Sequence, residues 1–160
     1  MDFQDMNKQN METAFELASI SLDKGGGPFG CVICDQNGII VGKGHNMVTI
    51  NNDPTQHAEI VAIRNACNYN KNFDLSNCIL YTTCEPCPMC LGAIYWAKIN
   101  KIFYCNTRTD AKNIGFDDEF IYEEINKPIE ERNVPLRQIN VDDNLKIFRL
   151  WLEKSDKICY

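Results

Sequence analysis

Four residues in two short runs have the types and spacing for metal-assisted hydrolysis. They are His57 and Glu59 in His57-Ala58-Glu59, and Cys87 and Cys90 in Pro86-Cys87-Pro88-Met89-Cys90, about thirty positions further on. Imidazole nitrogen and thiolate sulfur are ligands that suit tetrahedral zinc, and His57, Cys87 and Cys90 fill three of its four positions. The fourth position of one such ion per subunit is open to bind and acidify a water molecule. Glu59 has no place among the ligands, and a surplus carboxylate beside that water is a candidate catalytic proton shuttle.

The elements that carry these residues follow from periodicity. Cys87 to Ala97 reads as a helix with prolines crowding its first turn, which puts Cys87 and Cys90 at i and i+3 on one face. The helix N-terminus there favours ionised thiols. His57 to Asn68 reads as a second helix with Ile60, Ile63 and Cys67 on one face. In a regular helix Glu59 lies roughly 200° around the axis from His57. Both reach one ion only if the first turn frays or the ion sits above the helix end.

Around this pair, Thr13 to Leu22 has helical spacing that Gly25-Gly26-Gly27-Pro28 stops. Phe29 to Asp35 and Ile39 to Gly44 read as strands of a hairpin turning at Asn37-Gly38. Cys78 to Thr82 and Lys101 to Cys105 read as further strands, parallel because a helix crosses between them. Asp118 to Asn126 and Asp143 to Lys154 have helical spacing, with Pro135 to Val141 extended between them. The order predicts an α/β fold, a three-layer α/β/α sandwich with a mixed central sheet flanked by helices.

A chain of 160 residues that is 44% hydrophobic is long enough for one core and short for two, so 1–160 reads as a single domain. The net charge is −6. Lys and Arg are scattered, while Asp117-Asp118-Glu119, Glu123-Glu124 and Glu130-Glu131 concentrate negative charge, which argues against a nucleic-acid partner. No apolar run is long enough for a bilayer, and Met1 to Asn10 is polar and unlike a secretory signal, so the expected location is cytoplasmic. Nine cysteines, an odd count, fit reduced thiols and a metal site better than a disulfide framework. Cys31, Cys34, Cys67, Cys78 and Cys105 sit among apolar neighbours and read as small core residues.

The rival reading is a non-enzymatic, structural-zinc protein, because Cys31-Val32-Ile33-Cys34 and Cys87 to Cys90 make a Cys-x-x-Cys pair twice over. Residues three apart in a strand point to opposite faces, however, and Val32 and Ile33 oppose a break there. Cys84 also precedes Cys87 by three residues, but Pro86 keeps it out of helical geometry. His45 reads as a polar rim residue, and Met47 and Met89 as packing residues.

The two runs resemble the zinc-dependent cytidine and deoxycytidylate deaminase superfamily, whose signature they match. Within it, Asn51 to His57, Cys84 to Ala97, and Gly115-Phe116-Asp117-Asp118 with Phe120-Ile121-Tyr122 are most similar to members that act on guanine. The similarity runs from about Gly27 to Tyr160. The resemblance implies hydrolysis of guanine to xanthine and ammonia, with His57, Cys87 and Cys90 holding zinc and Glu59 moving protons. It implies a small nucleobase bound by Asn46, Phe29, Trp96 and the Ala58 backbone. It also implies a homodimer whose C-terminal segment, about 128–160, is exchanged between subunits, so that Asp118 and Tyr160 complete the pocket. Each has a plainer counterpart: Phe29 and Trp96 as core aromatics, Asp118 as a helix N-cap, Asn46 as a turn cap, Tyr160 as a frayed end. A tRNA adenosine deaminase shares the metal motif, as do enzymes acting on guanosine or cytosine. A tRNA reader needs basic residues near the site, and this chain offers Asp117-Asp118-Glu119. Cys31 and Cys34 depart from the guanine-acting pattern.

Overall fold

A computed structural model describes residues 3–160; of the polar start, Met1 and Asp2 lie outside the described residues. The strands β1 (Gly30–Asp35), β2 (Ile40–His45), β3 (Cys78–Cys84) and β4 (Lys101–Asn106) form one mixed sheet in the order β2-β1-β3-β4. β1 is antiparallel to β2 and β3, and β3 is parallel to β4, as a helix crossing between them requires. Helix α1 (Phe3–Asp23) covers one face, while α3 (Ala58–Asn70) and α4 (Pro88–Trp96) cover the other; a short helix α2 (Val48–Asn51) lies in the loop before α3. This is the expected three-layer arrangement.

Alternation along β1 divides its side chains between the layers. Cys31 and Ile33 join Ala58, Ala62, Ala66, Leu80 and Ile94 in the core beneath α3 and α4. Cys34 faces α1 and accepts a hydrogen bond from Asn10 Nδ2 at 3.3 Å. The two thiols are therefore on opposite sides of the sheet and cannot share an ion, which removes the structural-zinc reading. On β2, a Cβ at Gly44 would stand 2.2 Å from the Ala58 carbonyl oxygen, and one at Gly42 would stand 2.4 Å from that of Ala62. Glycine at both positions lets α3 lie directly on the strand, which sets the height of His57 and Glu59 above the sheet.

Three expectations differ from the structure. Helix α1 begins at Phe3, ten residues before Thr13, because part of its buried face is amide: Asn10 is buried, and Asn7 accepts the Tyr81 hydroxyl at 2.7 Å. An apolar count misses a helix that docks through asparagines. Cys105 is exposed and not a core residue, since β4 is the last strand of the sheet. Pro135 to Val141 joins no strand ladder.

By backbone contacts the chain forms two compact units, Met1–Asp118 and Glu119–Tyr160. The first contains the sheet and ends after α5 (Arg108–Asn113) and a turn at Gly115, whose φ of +96° favours glycine. The second contains α6 (Glu119–Asn126), a short 3₁₀ turn and α7 (Lys146–Glu153). None of its residues is buried, and Ile147, Phe148 and Leu152 of α7 are each 69% exposed.

Candidate metal centre

His57 and Cys87 are the N-caps of α3 and α4, with extended backbones at φ −68°, ψ 158° and φ −66°, ψ 168°. Neither residue is inside a helix, and that resolves the angular conflict between His57 and Glu59. The cap turns its side chain in front of the helix end, while Glu59, one residue inside α3, looks at the same space from the helix wall. Cys90 is in the first turn of α4, with Pro88 filling the position where a missing N–H costs nothing. Two helix N-termini thus converge on one point, and both favour anionic ligands.

His57 Nδ1 is 3.4 Å from Cys87 Sγ and 3.5 Å from Cys90 Sγ. Tetrahedral zinc with ordinary Zn–N and Zn–S bonds sets such pairs about 3.6 Å apart. All three ligand atoms lie within 4.8 Å of one another, and they form the one such cluster of three among the described residues. The donor set and its spacing fit zinc with an open fourth position. Cys84 is not in the cluster: its thiol points at the Thr107 carbonyl at 3.6 Å, and burial pushes it up to about 11.

The three ligand side chains hold their protons unevenly. Cys87 is lowered to about 4, first by the hydrogen bond from the Cys90 thiol and then by His57. Cys90 is raised in turn, because its proton is held against the Cys87 thiolate in a buried place. His57 is raised by its hydrogen bond to Cys87, against burial.

Glu59 is buried beside these ligands, and burial raises its pKa above the usual carboxylate value. Its Oε1 accepts the hydroxyl of fully buried Thr82, on β3, at 2.8 Å. Its Oε2 accepts the Cys90 thiol at 3.4 Å, a bond that ends when Cys90 ionises. Oε1 is thus committed to the sheet, and Oε2 is the oxygen able to exchange a proton. Thr82 was missed in the sequence because a threonine in a buried strand reads as a packing residue. Thr82→Val is expected to leave zinc bound and to lower kcat by about ten- to a hundredfold, the worth of a hydrogen bond to a charged group. Losing the donor raises the Glu59 pKa further, so the acid limb of the kcat/KM profile moves to higher pH; an unmoved limb and unchanged kcat would count against the assignment.

The other expected residues fall as follows. Ala58, the first residue of α3, is fully buried, and Asn46 after β2 is buried with its N–H bonded to the Phe29 carbonyl at 3.0 Å. Phe29 is half-buried, packs on the core and meets Phe116 edge-to-face at 4.9 Å between centroids. Phe116 belongs to the Gly115-Phe116-Asp117-Asp118 run that carries the resemblance, but its type and spacing assign it no contact of its own. Trp96 ends α4 with 67% of its surface exposed. Asp118 is raised first by burial and then by the negative field of Cys87, and it raises His57 in return, so it lies within electrostatic reach of the ligands. Tyr160 belongs to the second unit and is exposed.

Residues 4–106 match the family described as the cytidine and deoxycytidylate deaminase zinc-binding region. A guanine deaminase of Bacillus subtilis is 50% identical over 92% of this chain and 94% of its own length. A tRNA-specific adenosine deaminase of Buchnera aphidicola is 45% identical, over 62% of this chain and 61% of its own. Among solved structures, guanine deaminase from Bacillus subtilis superposes with a TM-score of 0.92 at 47% identity, covering 100% of this chain and 99% of that one. Guanine deaminase from Nitrosomonas europaea superposes with a TM-score of 0.66 at 30% identity over 68% of this chain and 63% of its own.

Proposed function

The chain belongs to the cytidine and deoxycytidylate deaminase family, whose shared region binds zinc, and from that membership we propose that it hydrolyses guanine to xanthine and ammonia. One observation carries the choice of substrate: the likeness to guanine deaminase spans 92% of the chain, whereas the likeness to tRNA adenosine deaminases of Buchnera aphidicola spans 62% to 66% of it. The scattered basic residues and net charge of −6 agree with a small base rather than an RNA backbone.

In this reading His57, Cys87 and Cys90 hold the ion, and zinc bound there supplies the acidity of the attacking water. Glu59 takes a proton from the attacking water at Oε2 and passes it to a ring nitrogen, then takes the remaining proton from the oxygen now on the ring carbon and gives it to the amino group as that group's bond to the carbon breaks. Water's oxygen ends on the ring and ammonia leaves. Thr82 holds the other carboxylate oxygen still throughout. Asn46, Phe29, Trp96 and the Ala58 backbone bind the base, with Asp118 and Tyr160 closing the pocket. Ammonia release from guanine, guanosine, adenine, cytosine, cytidine and a tRNA anticodon stem-loop tests the substrate. Release from guanine is expected, and release from the stem-loop without guanine would overturn the reading.

The proposal extends to assembly. Residues 1–160 act as one catalytic domain whose segment from about 128 is exchanged within a homodimer, so that Tyr160 serves the pocket of a partner. The exposed apolar side chains of α7 and a last sheet strand with Tyr104 half exposed support this, since both suit a covering copy. Deleting Ile158 to Tyr160 is expected to lower guanine turnover at least about tenfold, as loss of a base-stacking ring does; undiminished turnover would show that the tail does not close the pocket. The chain contains no helix long and apolar enough to cross a membrane among its described residues, and nine cysteines with no disulfide among them suit a cytoplasmic location.

A further inference from the structure

Asn46 has nearly all of its hydrogen-bonding capacity spent inside the protein. Its N–H donates to Phe29, and its carbonyl accepts from the Ser21 hydroxyl at 2.8 Å and from the His45 ring at 3.1 Å. Its side-chain Oδ1 accepts from the backbone N–H of Gly27 and of Val48, both at 3.3 Å. Two backbone donors on one oxygen fix which way round the amide sits, because the opposite orientation would set N–H against N–H. Only Nδ2 is left. Among the described residues no fully buried side-chain nitrogen or oxygen lacks a partner, so Nδ2 reaches accessible space.

Ser21, fully buried near the end of α1, joins this arrangement together. Its Oγ holds the Asn46 carbonyl, and its own carbonyl accepts the Gly26 N–H at 2.8 Å, next to the Gly27 that orients the amide. The joint is closed tightly: a Cβ on Gly26 would lie 2.5 Å from Ser21 Oγ and 2.6 Å from the Asn46 carbonyl oxygen. A Cβ on Gly27 would lie 3.2 Å from the Phe29 ring and 3.4 Å from Asn46 Cγ.

We propose that Asn46 reads the base only as a hydrogen-bond donor, and that Ser21 is the positioning residue that holds it in that orientation. The base must then present an acceptor, a ring nitrogen or a carbonyl, to Nδ2, and one presenting an N–H there is refused. This rests on the reading that Asn46 and Phe29 face guanine. Wild-type turnover of guanine reports on that reading by itself, so failure of the two is distinguishable.

The test measures competitive inhibition by 7-deazaguanine, 3-deazaguanine and 2-aminopurine, which lack the acceptors N7, N3 and O6 in turn; 2-aminopurine also has N1 as an acceptor in place of its N–H, so its penalty is read as the change between the unaltered protein and Asn46→Asp. The unaltered protein is expected to bind one of the three at least about tenfold more weakly than the others. Asn46→Asp keeps an oxygen for both backbone donors but loses the donor, and is expected to abolish that penalty while raising the KM for guanine. Ser21→Ala is expected to raise the KM about tenfold with kcat within about threefold, and to shrink the same penalty. Equal penalties for all three analogues, or a penalty unchanged in Ser21→Ala, would overturn the proposal. If Ser21→Ala does not fold, Gly27→Ala disturbs the amide from the other side and is judged by the same ratio.

Discussion

Glu59→Gln is expected to lower guanine turnover by about 10²–10⁴-fold while metal analysis finds zinc at the level of the unaltered protein. Glutamine matches the carboxylate in shape and still offers an oxygen to the Thr82 hydroxyl, so the first turn of α3 and the position of His57 are kept. What disappears is a basic oxygen at the place of Oε2. The substitution also removes a charge that burial opposes, so the melting temperature is expected to hold or rise. Loss of turnover with undiminished stability and metal separates a chemical role from a structural one. Residual turnover within about tenfold of the unaltered protein would refute the role of proton shuttle.

Replacing Cys87 or Cys90 with Ala acts one step earlier. Each leaves two ligands where three converge, and bound zinc is expected to fall together with turnover, whereas Cys84→Ala, whose thiol faces the Thr107 carbonyl, is expected to keep both. Unchanged zinc in the Cys87 and Cys90 variants would point back to Cys84. Zinc binding to the unaltered site is also expected to depend on pH. Ligands bind zinc deprotonated, and His57 and Cys90 are both raised, so their protons persist to higher pH and must be expelled by the metal. Zinc affinity therefore falls as pH falls. Cys87, at about 4, is already a thiolate and adds nothing to this dependence near neutrality. Chelator competition at two pH values on either side of neutrality measures the effect, and equal affinities at both would contradict it.

Much of the fold was legible because its signals are local. Asn37-Gly38 fixes the β1–β2 hairpin, the helix between β3 and β4 makes them parallel, and alternation along β1 separates Cys31 from Cys34. The ligands were legible from residue type and spacing. Their geometry was not, because it depends on His57 and Cys87 standing just outside their helices, and a cap is a backbone state that periodicity does not register. The first ten residues of α1 were hidden for a related reason: a helix docked by Asn7 and Asn10 carries its contacts in polar side chains. Thr82 and Ser21 were invisible as site residues since each acts through one long-range hydrogen bond, to Glu59 and to Asn46.

The glycines of β2 bear on how a mutational screen of this protein would read. Gly42 and Gly44 touch no ligand, yet any side chain there would force α3 away from the sheet, at a cost of about 1–3 kcal/mol or more from overpacking. Inactive clones at these positions would resemble active-site hits if colonies were scored by deamination alone. Scoring protein abundance alongside activity sorts them, with Gly44 variants scarce in the cell and Glu59 variants plentiful but silent.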